Sequence, residues 1–257
     1  MGWVNKIRVS SKFEALSVAE SKTAFTFKPA GACPKYSFDK HVEKKLRKWE
    51  RISEMGLCLV HAVGEHALYG SGLFQGRAQD VLSGWDVIST SLIHRTRPWT
   101  QVNIRSQNPK ISRLPMRPMR MYANVALILQ VPPENILGTF PEDVYFPTHE
   151  PAKDYKFAQA ILGDGSTTTH PVMGGAFTKI ESPLTIMEKT SRGKPRENYN
   201  EILVVTRPHV RVHFSETKKV EVKGIIYTAG STGFSRSDAE VLQRLCELNP
   251  DLPVEEA

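Results

Sequence analysis

The chain has 257 residues, 40% of them hydrophobic, enough to bury one sizeable core or a core with a small satellite. No run of about 18 apolar residues is available to cross a bilayer, and the start Met1-Gly2-Trp3-Val4-Asn5-Lys6 has neither an apolar signal core nor the hydroxyl that myristoylation favours at the sixth position. The formal net charge of +7 is local, because residues 87–133 carry seven cations (Arg95, Arg97, Arg105, Lys110, Arg113, Arg117 and Arg120) and no carboxylate, so the rest of the chain balances to zero. A block of one sign concentrates an anionic ligand, whether dinucleotide, nucleic acid or acidic protein surface. The three cysteines, Cys33, Cys58 and Cys246, are far apart and lack paired metal-ligand spacing, which fits free thiols in a reducing compartment.

Residues 1–36 are mixed in character and end among Pro29, Gly31 and Pro34, so they read as an N-terminal extension to a single domain over 37–257. Val42, Leu46, Trp49, Ile52 and Met55 recur at three- and four-residue steps and predict an amphipathic helix over 39–55. Gly56 ends it, and Leu57-Cys58-Leu59-Val60 then reads as a short buried strand with His61 at its exit. After a glycine-containing loop, residues 75–82 predict one or two helical turns stopped by Gly84. Residues 86–93 predict a strand with Ser89, Thr90 and Ser91 in its middle. Prolines at 98, 109, 115 and 118 predict loop over 98–118.

The second half is strand-rich. Residues 125–131 form an apolar run closed by Pro132-Pro133, and 202–205 form another. Val210, Val212 and Phe214 alternate with His209, Arg211 and His213. Val220, Val222 and 225–227 suggest a strand forming a hairpin with that segment. Ser237 and Glu240 have capping-box spacing ahead of Val241, Leu242, Leu245 and Leu248, so a last helix is expected to start there and stop before Pro250.

Three segments carry the chemistry in order: a strand ending in His61, a strand bearing Ser89-Thr90-Ser91, and a strand opened by a glutamate in Asn200-Glu201-Ile202-Leu203. That order resembles the ADP-ribosyltransferase superfamily, whose members place an Arg or His on a first strand, a Ser-Thr-Ser on a second and a catalytic Glu before an apolar strand. The resemblance spans residues 57–214. It implies an α+β fold with a mixed, mostly antiparallel β core of two packed sheets and flanking helices. It further implies an NAD-dependent mono-ADP-ribosyltransferase, similar to bacterial effectors delivered into a host cytosol by a specialised secretion apparatus to modify a host protein, ubiquitin being one acceptor type. Two positions differ from the commonest pattern. Ser-Thr-Ser members usually carry Arg where this chain has His61, and toxin-like members carry Glu or Gln where it has Tyr199, which disfavours an arginine acceptor.

The resemblance assigns roles residue by residue. Cleaving the nicotinamide–ribose bond develops positive charge on the sugar, as in glycoside hydrolysis, so a fixed carboxylate lowers the barrier more than it stabilises the ground state. Glu201 would supply that charge, Ser89 would orient Glu201, and Thr90 and Ser91 would shape the ribose pocket. His61 would donate to a ribose hydroxyl or the adenosine side, Arg95 and Arg97 would fork onto the pyrophosphate, and Tyr199 is among the aromatics near enough in sequence to stack on nicotinamide.

Each residue also has an ordinary structural reading: a hydrogen-bonded histidine, strand hydroxyls, a solvated glutamate at a strand start, and arginines that solubilise a proline-rich loop. A functional alternative from another class is a basic nucleic-acid-binding module in which the arginines track phosphates and Trp99 and Tyr122 stack on bases. A third is an inactive effector that binds a partner through the same stretch. No metal is expected, since His209 and His213 would lie roughly 13 Å apart along a strand.

Overall fold

A computed structural model describes residues 40–65, 68, 72–85, 87–97, 99–101, 120–121, 123–141, 180–192, 200–209, 211–212, 215–229 and 234–257. The chain divides into Met1–Pro34 and Lys35–Ala257, and all described residues belong to the second unit. The expected N-terminal extension and the greater part of the proline-rich loop lie outside them.

The apolar spacing of 42–55 does produce helix, as α1 (Lys40–Leu46) continued by 3-10 turns at Arg47–Arg51 and Ser53–Met55. Leu46 and Trp49 are buried, and the Trp49 indole donates to the Glu181 carbonyl at 2.9 Å. Gly56 closes the last turn at φ 69°, a left-handed conformation open to glycine without strain. β1 (Leu57–Ala62) follows, then α2 (Ala78–Ser83), which Gly84 terminates, and β2 (Val87–His94). Two-residue strands β3 (Thr100–Gln101) and β4 (Arg120–Met121) pair in parallel. β5 (Val125–Gln130), β6 (Ile136–Phe140), α3 (Pro183–Arg192) and β7 (Glu201–Val205) come next. β8 (Arg211–Val212) and β9 (Ser215–Glu216) form a short ribbon, and β10 (Glu221–Tyr227), α4 (Arg236–Leu248) and β11 (Val254–Glu256) complete the order.

The fold is α+β. Seven strands form one mixed, mostly antiparallel sheet in the order β11-β10-β5-β1-β2-β7-β6, in which only the β10–β11 pair is parallel. Alternation sends side chains to two cores. Leu57, Leu59, Ile88, Leu92, Leu127, Ile202, Val204 and Ile225 enter the larger one, with Trp49, Leu82, Ile186, Val241 and Leu245 from the helical segments. Cys58, Val60, Ile93, Ala126, Ile128 and Ile226 enter the smaller one with Trp99 and Met121.

Three expectations are corrected. First, the last helix is capped by Ser235 with Asp238, not by Ser237 with Glu240. The Ser235 hydroxyl accepts from the Asp238 N–H at 3.0 Å, and the Asp238 carboxylate accepts from the Ser235 N–H at 2.8 Å. The cap sits two residues earlier because Asp238 is buried and also accepts from the Asn124 amide at 3.0 Å, a tertiary bond that anchors this frame of the helix. Second, among the described residues β10 pairs with β5 and β11 and not with the 209–214 segment. The chain before it is captured by side chains: Asn135 accepts from the Lys218 N–H at 2.9 Å, and Gln79 donates to the Val220 carbonyl and accepts from the Val222 N–H. Third, Trp99 is 1% exposed with its indole donating to the Ala123 carbonyl, so it is a core residue and offers no stacking surface. Tyr122, its expected companion, lies outside the described residues.

Candidate active site

The strands bearing the three sequence segments are immediate neighbours, β1-β2-β7, although they start at residues 57, 87 and 201. β2 changes partner along its length. Its residues 91–94 pair with β1, from Leu57↔His94 to Val60↔Ser91, while 87–90 pair with β7, from Val87↔Val205 to Thr90↔Ile202. The sheet therefore forks between β1 and β2 beyond Val60 and Ser91.

His61 sits at that fork. It is 4% exposed, one residue past the last β1–β2 pair, and its Nδ1 lies 2.8 Å from the Ser89 carbonyl oxygen. With that carbonyl as acceptor, Nδ1 carries the proton. The ring also meets Trp85 edge-on, at 5.6 Å between centroids and 82° between planes. A side chain thus joins the two strands where their backbone pairing has ended.

Glu201 opens β7 and is 2% exposed. Its neighbours are pinned to β2. The Thr90 hydroxyl donates to the Ile202 carbonyl at 2.7 Å and the Ser91 hydroxyl to the Asn200 carbonyl at 3.1 Å. The Asn200 amide accepts from the Leu92 N–H at 2.6 Å and donates to the Leu92 carbonyl at 3.0 Å. On its other side Glu201 pairs with Phe140 of β6.

Membership of the two cores fixes the faces. Ile88 and Leu92, like Ile202 and Val204, belong to the larger core, so alternation puts Thr90 on that face and Ser89, Ser91 and Glu201 on the other. Leu57 and Leu59 put His61 on the larger core's face. The structure therefore gathers Ser89, Ser91 and Glu201 on one face and sets His61 and Thr90 on the opposite one.

The two arginines lie elsewhere. Arg95 is four residues beyond Ser91, roughly 13 Å by strand rise. Its guanidinium is engaged with the Glu255 carboxylate, Nε to Oε2 at 2.6 Å, and that bond raises its pKa and lowers that of Glu255. Arg97 is exposed, and after desolvation it is the second cause that holds the His94 pKa below its usual value. Tyr199 lies outside the described residues. An open groove lined by Thr206, His209, Thr217 and Lys218 lies past the far end of β7, and none of the expected site residues lines it.

Asn200 belongs to the segment that carries Glu201, but its residue type alone assigns it no role. An asparagine before a strand is an ordinary turn residue, and only the register with β2 shows its amide acting as an extra peptide unit. Among the described residues, no group of three or more His, Cys, Asp or Glu side chains is placed to hold a metal ion, and no helix is long and apolar enough to cross a membrane. In comparisons with protein-family models, curated proteins and solved structures, none matches this chain.

Proposed function

We propose that this protein transfers ADP-ribose from NAD to a target protein, with Glu201 as the catalytic carboxylate. The observation that carries the reading is the contiguity of β1, β2 and β7, which brings the hydroxyl-bearing strand and a 2% exposed Glu201 together from distant parts of the chain. The reading includes an ADP-ribosyltransferase-like arrangement, in which β11-β10-β5-β1 and β6-β7-β2 act as two sheets either side of the fork. It also includes delivery into a host cytosol, with a host protein as acceptor.

The bond between nicotinamide and the ribose C1′ breaks, and its electron pair leaves with neutral nicotinamide. The acceptor nucleophile bonds to C1′ from the other side and loses its proton. Positive charge gathers on the sugar between these events, and Glu201 opposes it. For a charge pair about 4 Å apart at an effective dielectric of about 20, that interaction is worth about 4 kcal/mol, or about 1,000-fold in rate. Ser89, part-exposed on the Glu201 face, is the hydroxyl suited to the ribose, while Ser91 on the same face is committed to the Asn200 carbonyl. His61 and Thr90 support the strands from the other face, and Arg95, held by Glu255, has no part in pyrophosphate binding in this reading.

The test is incubation of the purified protein with labelled NAD and a eukaryotic lysate, beside Glu201→Gln. Label should pass to protein with the wild type, and the substitution should lower the rate about 1,000-fold with the fold intact. Transfer that survives Glu201→Gln would refute the assignment of Glu201. Failure of folded wild type to release nicotinamide would refute the activity, and a salt-dependent nucleic-acid titration would then test the basic-module alternative.

A further inference from the structure

We infer that Asn200 is a positioning residue whose side-chain amide extends the β2–β7 ladder by one peptide unit and so fixes the backbone from which Glu201 projects. The inference rests on the reading of Glu201 as the catalytic carboxylate. The paired positions of β2 and β7 run from Val87↔Val205 to Thr90↔Ile202, and two further steps bring Leu92 opposite residue 200. There the backbone ladder has ended. The Asn200 Oδ1 and Nδ2 take its place, accepting from the Leu92 N–H at 2.6 Å and donating to the Leu92 carbonyl at 3.0 Å. A primary amide carries the same donor and acceptor as a peptide group, which is why asparagine can make this exchange and an apolar residue of the same size cannot.

The backbone carbonyl of Asn200 accepts the Ser91 hydroxyl, and the Ile202 carbonyl accepts that of Thr90. Glu201 is thereby held between two tethered peptide groups. Asn200 is 0% exposed, Thr90 1% and Ser91 3%, so water is not at hand to replace a lost bond. Thr90 and Ser91 act on Glu201 through these carbonyls.

Asn135 provides a matched control at the other end of β7. It is also 0% exposed, and its amide donates to the Val205 and Lys218 carbonyls, each at 2.7 Å, and accepts from the Lys218 N–H. Wild type, Asn200→Ala and Asn135→Ala would be compared for NAD cleavage, thermal stability and the ¹³C resonance of the Glu201 carboxylate, assigned with Glu201→Gln. Both alanine variants should lose stability. Only Asn200→Ala should lower kcat, by about 100-fold, with KM for NAD changed by no more than about twofold. Only Asn200→Ala should broaden or split the carboxylate resonance.

Equal kcat losses in the two variants, or an unchanged resonance in Asn200→Ala, would overturn the inference. Absence of NAD cleavage by folded wild type would overturn the functional reading alone, and the resonance would still decide whether Asn200 positions Glu201. If Asn200→Ala does not fold, Asn200→Ser, which keeps a hydroxyl at the position, is read in the same way.

Discussion

Removing the His61 ring tests whether a side chain closes the fork between β1 and β2. In His61→Ala the Ser89 carbonyl loses its 2.8 Å partner in a part-buried setting, a loss of about 1–3 kcal/mol. The edge-on contact with Trp85 goes too, at about 0.5–1.5 kcal/mol. Together these amount to about 1.5–4.5 kcal/mol, a substantial fraction of the roughly 5–15 kcal/mol that holds an ordinary domain. His61→Phe keeps an aromatic ring against Trp85 while losing the hydrogen bond to the Ser89 carbonyl, so it should be milder. Urea unfolding followed by fluorescence would give both values, provided m is unchanged. Hydrogen exchange over residues 57–62 and 87–94 should accelerate in both variants, because the backbone pairing of β1 with β2 ends at Val60↔Ser91. A loss below about 1 kcal/mol in His61→Ala, or unchanged exchange in those segments, would refute the argument.

Burial pushes the Cys58 thiol from 9.0 up to about 12, with Arg95 opposing the shift, so Cys58 should resist alkylation at pH 8 until the protein unfolds. Its raised folded pKa contributes stability that is complete below about pH 9 and is lost as pH rises towards 12; a Cys58→Ala variant should lack that alkaline loss. Prompt native-state labelling of Cys58, read by peptide mapping, would contradict this. His94 is held below 6.5 by burial and then by Arg97, so its contribution to stability is present above 6.5 and lost as pH falls through its depressed value. An NMR titration should place it below 6.5, and Arg97→Gln should move it part of the way back. Asp238→Ala should cost about 2–4 kcal/mol in urea unfolding, since it disrupts the cap of α4 and leaves the Asn124 amide without its carboxylate. A loss no larger than that of an exposed cap, about 1 kcal/mol, would show that the Asn124 bond contributes little.

Local pattern alone determined the helical character of 40–55, the stop at Gly56, the strands at 57–60, 87–93, 125–130 and 202–205, and the helix closed before Pro250. In these segments apolar spacing, a glycine stop or a proline following the end acts over a few residues, so neighbours in sequence suffice. β6 was not legible, because Ile136-Leu137-Gly138-Thr139-Phe140 has a central glycine and becomes a strand through its pairing with β7. α3 and β11 also escaped the pattern, the latter being three residues held alongside β10. The site divides in the same way. His61, Ser89, Thr90, Ser91 and Glu201 were visible as residue types in strand contexts, but the sequence holds no information about which face each takes until the register of three strands is set. Tertiary structure alone put Ser89, Ser91 and Glu201 on one face and His61 on the other, drew Arg95 to Glu255, buried Trp99 and made the Asn200 amide part of a ladder. Each of these depends on hydrogen bonds and packing between residues far apart in the chain, which local periodicity does not encode.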